Sequence, residues 1–204
     1  MFFIGFGGRE FAAIDGSKMN GIVLTHGAGS NADAPLLVAL AAAFEAAGWR
    51  AVRYNLPYRQ ARPSGPPFPA QAAADRAGLA EAVAQMRSSV EGIVAVGGHS
   101  YGGRQASLLA AEQPGLIDSL LLLSYPLHPP RKPQQLRTAH FADWRTPALF
   151  VHGTRDPFAG IEELLAATAE IPASTRIMTL ERAGHELKGI DATAVVATFV
   201  EILR

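Results

Sequence analysis

Short runs of apolar and β-branched residues alternate along this chain with longer runs rich in alanine and leucine, and this alternation constrains the fold most. Runs such as 21–25 and 92–96 predict buried strands, and segments such as 33–47 and 71–88 predict helices. An alternation of this kind is typical of a parallel sheet with helices on both faces. The sequence therefore predicts an α/β fold with a mostly parallel, twisted sheet.

The same patterns predict the remaining elements. Further strands are predicted at 49–56, 119–124, 147–152 and 176–180, and further helices at 101–112, 161–171 and 190–203. We expect the first 16 residues to form one or two edge strands. Two irregular segments, 57–69 and 126–146, each follow a predicted strand, so they should lie over any site at the carboxyl edge of the sheet. The second segment is too short for a sizeable lid.

Composition excludes several classes of protein. The chain has 204 residues, which we expect to form a single domain over 1–204. Its 18 Lys and Arg balance 18 Asp and Glu, which argues against a nucleic-acid partner. The absence of cysteine excludes disulfides, Cys-ligated metals and thiol nucleophiles. We see no signal peptide and no apolar run long enough for a membrane helix, so we expect a cytoplasmic protein without a membrane partner.

Residues 98–102, Gly-His-Ser-Tyr-Gly, fit the pattern Gly-x-Ser-x-Gly. They lie between a predicted strand and a predicted helix, which is the setting of a nucleophile elbow, a sharp strand-to-helix turn that carries a serine. Glycines are needed there because side chains at these positions would clash with the strand and the helix. The pattern predicts that Ser100 is a nucleophile at the positive end of the helix. The alternative is a glycine-rich turn with an idle serine.

A serine hydroxyl needs a base to become a good nucleophile, and that base needs an acid to orient it. In this kind of site the acid and the base follow the serine along the chain, in loops after later strands. Asp156 and His185 both come shortly after predicted strands, so they should lie at the same sheet edge as Ser100. We therefore assign Asp156 as the acid and His185 as the base. Asp143, in the long loop, is the weaker alternative for the acid.

Negative charge that develops on a substrate carbonyl oxygen requires hydrogen-bond donors, together called the oxyanion hole. One donor should be the backbone N–H of Tyr101, the residue after the nucleophile. The other should come from the loop 25–30 after the first parallel strand. We choose the N–H of Ala28, with Gly27 as the alternative, because the glycines of this loop let the backbone approach a substrate closely.

Four segments in this order resemble the α/β-hydrolases: 26–29, the elbow 98–102, 153–156 and 184–185. The resemblance extends from about residue 20 to the end of the chain. It implies an α/β-hydrolase fold and a serine hydrolase that cleaves an ester or related acyl bond of a small molecule without a cofactor or metal.

Two longer segments, 97–104 and 124–128, resemble a small lidless group described as dienelactone-hydrolase-like, with relatives among testis-expressed proteins and a histone-acetyltransferase complex subunit. Dienelactone hydrolases carry a cysteine where this chain has Ser100, so their lactone substrate does not carry over. Four residues within the matched segments, and Tyr58 outside them, are candidates for substrate binding. These are His26, Tyr58, Arg104, Tyr125 and His128.

Positive charge is unevenly distributed along the chain. Residues 46–74 contain Arg50, Arg53, Arg59 and Arg62 and no acid, and residues 119–142 contain Arg131, Lys132 and Arg137 and no acid. Two interpretations remain open at this point. The charges are simply solvated on exposed loops, where salt screens them, or they surround Ser100 and favour substrates that bear a carboxylate or phosphate.

Two other functions are alternatives. Residues 27–32 match Gly-x-Gly-x-x-Ala after a strand, as in nucleotide-dependent oxidoreductases, but no acid occurs between 46 and 74 to bind a ribose. Arg53 could instead favour a 2′-phosphate. The second alternative is a non-catalytic binding or scaffold module, because a fold does not fix a function.

Overall fold

The strands form one sheet of seven, whose order is β1-β7-β6-β5-β4-β2-β3. The structure, a computed structural model, describes residues 3–6 and 18–203. The strands are Phe3–Phe6 (β1), Gly21–Thr25 (β2), Arg50–Tyr54 (β3), Val94–His99 (β4), Ser119–Leu123 (β5), Ala148–Gly153 (β6) and Thr175–Leu180 (β7). Strands β2 to β7 are parallel, and β1 pairs antiparallel with β7. The predicted mostly parallel sheet is therefore confirmed.

Helices cover both faces of this sheet. They are Pro35–Ala46 (α1), Pro57–Ala61 (α2), Ala72–Arg87 (α3), Tyr101–Glu112 (α4), Ile161–Thr168 (α5) and Ala192–Glu201 (α6), with short 3₁₀ turns at Pro69–Gln71 and Phe141–Asp143. Within the described ranges, no helix combines the length and the apolar character needed to cross a membrane.

Strand β5 shows why two separate cores form. Leu120 and Leu122 pack into the core beneath α3, α4 and α5, whereas Leu121 and Leu123 pack into the core beneath α1 and α6. Successive side chains of a strand point to opposite faces of the sheet, so a strand that is covered on both sides must be apolar throughout. The four consecutive leucines of this strand are apolar on both faces, as this burial requires.

Most element predictions hold, with shifts at the ends. The strand predicted at 92–96 runs instead over Val94–His99, because it continues through its glycines to the elbow. The segment 57–69, predicted as a loop, begins with the short helix α2, whose first residue is Pro57. Proline is favoured at the first position of a helix, where its missing N–H is not needed. Of the N-terminal edge strands, β1 is confirmed, and residues 7–16 lie outside the described residues.

The sheet has one point at which the strand order reverses direction. Strand β2 lies between β3 and β4, so the chain first runs outward to β3 and then returns past β2 to build the other side from β4. Ligands in open α/β sheets bind at such a switch point, beyond the carboxyl ends of the strands. The loop after β2 and the elbow after β4 meet there, because Thr25 pairs with Gly98.

Candidate active site

Ser100 occupies a strained turn between β4 and α4. Its backbone has φ 49° and ψ −114°, a conformation that residues with a side chain rarely adopt. A Cβ added to Gly98 would lie 2.4 Å from the backbone N of Gly103, and one added to Gly102 would lie 2.6 Å from the carbonyl oxygen of His26. The glycines of the elbow are therefore required by direct backbone contact.

An unbroken chain of hydrogen bonds links Ser100 to Asp156. His185 Nε2 lies 2.8 Å from Ser100 Oγ, and His185 Nδ1 lies 2.8 Å from Asp156 Oδ2. The carboxylate accepts from Nδ1–H, so Nε2 carries the lone pair and accepts the hydroxyl proton of Ser100. The tautomer is assigned here from this hydrogen-bond network.

Asp156 is held as a carboxylate despite its burial. Burial by itself raises the pKa of this carboxyl, but the hydrogen bonds from His185 and from the N–H of Phe158 outweigh it, so the pKa lies below its usual value. The N–H of Phe158 donates to Oδ1 at 2.9 Å, which leaves Oδ2 for His185. His152 stands 3.7 Å from Oδ2 and has its own bond to the carbonyl of Ala159.

The imidazole of His185 is packed between two rings. Its centroid lies 4.2 Å from that of Phe158 and 5.2 Å from that of His99. His99 Nε2 also donates to the carbonyl oxygen of His185 at 2.9 Å. Burial lowers the pKa of His99, so this ring is neutral at pH 7 and adds no positive charge beside the base. The variable residue of the elbow thus holds the backbone of the base.

Backbone N–H groups on two loops near Ser100 are available to a substrate. Within residues 18–203, the N–H groups of Tyr101, Ala28 and Gly27 donate to no protein acceptor, so Ala28 and its alternative Gly27 are both available. The elbow helix is tied to the loop that carries Ala28, because the N–H of Gly102 donates to the carbonyl of His26 at 3.1 Å. This arrangement can stabilise an oxyanion at the switch point.

Residues 18–196 match the family profile described as an alpha/beta hydrolase domain. This range spans most of the chain and includes the elbow, the loop after β2 and the segments that carry Asp156 and His185. The chain belongs to the alpha/beta hydrolase family. The predicted resemblance and fold class are thereby confirmed, and residues 18–203 contain no large lid-like insertion.

Solved alpha/beta hydrolases share this fold at low sequence identity. Dienelactone hydrolase from Anabaena variabilis is 21% identical, with a TM-score of 0.67 over 92% of this chain and 85% of its own. Est1E from Butyrivibrio proteoclasticus, solved with ferulic acid, is 16% identical, with a TM-score of 0.72 over 98% of this chain and 94% of its own. A monoacylglycerol lipase from Paleococcus ferrophilus is 15% identical, with a TM-score of 0.70 over 98% of both chains. At these identities the likeness shows the fold alone.

Tyr58 and Arg59 hold the loop that carries Ala28 in this hydrolase. The Tyr58 hydroxyl lies 3.1 Å from the carbonyl oxygen of Gly27 and 2.9 Å from that of Ala28. The buried guanidinium of Arg59 donates to the carbonyls of Ser30 and Ala28 at 2.7 and 3.3 Å. A trans peptide points its N–H and C=O in opposite directions, so fixing the Gly27 carbonyl fixes the N–H of Ala28.

Asp75 is a buried carboxylate that the sequence analysis missed. It accepts the Tyr101 hydroxyl at 2.7 Å and the backbone N–H of Tyr58 at 2.9 Å, so it joins the start of α4 to α2. Burial, followed by the hydrogen bond to Asp75, raises the pKa of Tyr101, which stays a neutral donor. A signal was present, because Asp75 is four residues before Leu79 and thus extends the apolar stripe of α3.

Four of the five predicted substrate-binding residues turn out to be buried and engaged within the fold. His26 Nδ1 donates to the carbonyl of Gly27 at 2.9 Å, and its Nε2 accepts the N–H of Leu56 at 3.2 Å. The hydroxyl of Tyr125 bonds with Ser107 at 3.1 Å. His128 donates from Nδ1 to the Pro129 carbonyl at 2.8 Å, and its Nε2 lies 3.3 Å from Glu163.

His26, Tyr58, Tyr125 and His128 are at most 5% exposed, so each is held within the fold, and their part in substrate binding stays a prediction. The sequence correctly predicted that these residues follow strands at the carboxyl edge of the sheet. It did not determine whether each side chain points into the fold or out of it. His26 retains a place at the wall of a cavity, described below, and Arg104 remains half-buried beside the elbow.

The basic residues of 46–74 do not form one positive surface. Arg50 begins β3 and so lies at the amino edge of the sheet, away from Ser100. Arg53 forms an ion pair with Asp33 at 2.6 Å, and Arg59 is buried against carbonyl groups. Arg62 stacks on the ring of Phe68 at 4.5 Å.

Arg104 and Arg137, in contrast, are both half-buried. Burial, and next the charge of Arg104, lowers the pKa of Arg137. The Nε of Arg104 is buried without a hydrogen-bond partner, and within residues 18–203 neither guanidinium pairs with a carboxylate. The N–H of Arg104 donates to the carbonyl of Ser100 at 3.0 Å, so its side chain starts one helical turn from the nucleophile.

A cavity of about 440 Å³ opens beside Gly27 and His99, on the side of the sheet that carries α1 and α6. Its walls come from the loop after β2, the start of α1 and the segment 186–190 that follows His185. Among the described residues, no group of three or more His, Asp or Glu side chains is arranged to hold a metal ion.

Proposed function

We propose that this alpha/beta hydrolase is a serine hydrolase that cleaves an ester or related acyl bond of a small molecule. The observation that carries the proposal is the hydrogen-bonded chain Asp156–His185–Ser100, with both links at 2.8 Å, at the end of a strained elbow. Family membership supports hydrolysis, and the elbow supports serine as the nucleophile. The cytoplasmic location and the lack of a cofactor stay predictions from the sequence.

The reaction follows from the positions of these groups. Ser100 Oγ attacks the ester carbonyl carbon while His185 Nε2 takes the hydroxyl proton, and a tetrahedral intermediate forms. His185 then gives the proton to the alcohol oxygen, the carbon–oxygen bond of the ester breaks, and an acyl-serine remains. A water molecule repeats the sequence on the acyl-serine, which releases the carboxylic acid and restores Ser100. Asp156 stabilises the imidazolium in both halves.

The donors from Tyr101 and Ala28 are assigned to the oxyanion of each tetrahedral intermediate. Removal of one such donor typically costs about 10²–10³ in kcat. Tyr58, Arg59 and Asp75 touch no reacting atom in this scheme, so they are positioning residues.

We further propose that the substrate carries an anionic group on its acid half, as the uneven charge of the sequence suggested. Arg104 and Arg137 support this, since two partly buried guanidinium groups without a carboxylate partner are costly unless a ligand neutralises them. Lys132 is exposed and lies in the same loop as Arg137, so it serves as a matched control. The ratio of kcat/KM for a glutarate half-ester to that for its neutral isostere should fall about tenfold in Arg104→Gln and Arg137→Gln, and not in Lys132→Gln. Salt should lower the ratio in the native protein.

The nucleophile is tested with a fluorophosphonate probe. Native protein should be labelled on Ser100 and should turn over p-nitrophenyl acetate, and Ser100→Ala should lose both while its thermal unfolding is unchanged. Ser88→Ala, at an exposed serine at the end of α3, is the control and should behave as native. Wild-type turnover by Ser100→Ala would refute the assignment. Absence of labelling in the native protein would favour a non-catalytic binding module.

A further inference from the structure

The cavity beside the site has apolar walls and a rim with charged residues. Ala34 and Leu36 at the start of α1 line it, as do Leu187 and Ile190 from the segment after His185. The charged residues that border it, Glu186 and Lys188, are both exposed. A space of about 440 Å³ lined in this way suits an apolar group of a small ligand.

The inner wall of the cavity adjoins the reacting groups. Gly27 and His99 line it, and a Cβ added to Gly27 would lie 2.9 Å from His99 Nδ1 and 3.5 Å from the Cβ of Ser100. His99 Nε2 in turn holds the carbonyl of His185. The cavity therefore lies on the side of Ser100 from which the base approaches.

We propose, on the basis of the proposed serine mechanism, that this cavity binds the alcohol half of the substrate, so that the preferred substrates are esters of apolar alcohols. The leaving alcohol oxygen must receive its proton from His185 Nε2, which places the alcohol half on the side of that imidazole. The acid half then extends away from His185, toward the face of the sheet that carries α4 and Arg104.

A pocket for the alcohol half and a pocket for the acyl half affect different steps of the reaction. The alcohol leaves when the acyl-serine forms, so the cavity contributes to acylation and is empty of substrate during deacylation. Burial of one methylene in an apolar site changes a binding constant by up to about fourfold. The value of kcat/KM should therefore rise with the chain length of the alcohol. The rate at which a given acyl-serine is hydrolysed should not depend on the cavity.

The experiment compares acetate esters of methyl to hexyl alcohol. In the native protein kcat/KM should rise about two- to fourfold per methylene up to the limit of the cavity. Ala34→Phe and Leu36→Trp fill the cavity. Each should lower kcat/KM for hexyl acetate at least tenfold, so that kcat/KM rises little with alcohol length. Val38→Phe is the matched control, because Val38 is exposed on the same helix and outside the cavity walls, and it should keep the native rise.

Deacylation is measured by single-turnover decay of the acetyl-enzyme, which every ester of the series shares. Its rate should be the same in native protein and in Ala34→Phe. A native rise that persists in both filled variants, or a change in deacylation that matches the change in acylation, would overturn the proposal.

Failure of the catalytic assignment can be recognised separately. Calorimetric titration of 1-hexanol into Ser100→Ala should show binding that Ala34→Phe abolishes in the same background. Binding of this kind, together with a native protein that shows no esterase activity, would refute the serine mechanism and leave the cavity as an apolar site. Esterase activity with no dependence on alcohol length would overturn the cavity assignment alone.

Discussion

Replacement of Asp156 by asparagine tests the orientation of the base most directly. The Oδ1 of an asparagine at this position would keep the hydrogen bond from the N–H of Phe158, now 2.9 Å, so the new amide NH₂ would face His185 Nδ1, now 2.8 Å from Oδ2. Two donors cannot face each other at that distance, so Nδ1 would become the acceptor and Nε2 would carry the proton. A protonated Nε2 cannot accept the proton of Ser100.

We expect Asp156→Asn to lower kcat by about 10⁴, which corresponds to about 5.5 kcal/mol of transition-state stabilisation, with little change in KM. The assay is steady-state hydrolysis of p-nitrophenyl acetate, with the rate of fluorophosphonate labelling as a second measurement and thermal unfolding as a check on the fold. Asp143→Asn is the matched control, because Asp143 is exposed in the long loop and bonds to neither Ser100 nor His185. Retention of more than a tenth of native kcat, or an equal loss in Asp143→Asn, would refute the assignment.

Three further changes have defined outcomes. Tyr58→Phe removes the hydroxyl that holds the Gly27 and Ala28 carbonyls, so we expect kcat to fall about tenfold with KM unchanged, and an unchanged kcat would show that the loop needs no such support. Gly102→Ala places a Cβ 2.6 Å from a backbone carbonyl, and it should lower the free energy of unfolding in urea by about 1–3 kcal/mol, whereas Gly29→Ala, at a site with nothing within 4 Å, should not. Burial, then the charges of Arg104 and Arg76, lowers the pKa of His140 to about 4. The unfolded chain, with a histidine pKa of about 6.5, therefore binds more protons between pH 6.5 and 4, so stability should fall as the pH falls through this range. His140→Gln should make that fall less steep, and an equal slope would contradict the assignment.

The meeting of Ser100, Asp156 and His185 could be predicted from the sequence because it depends on local features. A glycine pattern at the end of an apolar run fixes the elbow, since only glycine permits the backbone contacts at Gly98 and Gly102. Parallel strands all end at one edge of the sheet, so residues that directly follow strands must converge there. Ser100, Asp156 and His185 needed no further information to be chosen.

The surroundings of the site could not be predicted in this way, because they depend on side-chain direction and on contacts between distant segments. Asp75 reaches Tyr101 only because α3 packs beside α4, and no local pattern of α4 contains that carboxylate. Arg53 looked unbalanced in its own segment, yet Asp33 from the loop after the neighbouring strand pairs with it.

The sequence by itself determined which elements form, the edge at which they meet and which residues could react there, because strand period, glycine placement and chain order are local properties. Only the tertiary structure decided which neighbours point inward to hold the loop that carries Ala28, as Tyr58 and Arg59 do, and which remain available to a ligand. It also decided where the apolar cavity lies, because a cavity is the space left between α1 and the segment after His185 once both have packed.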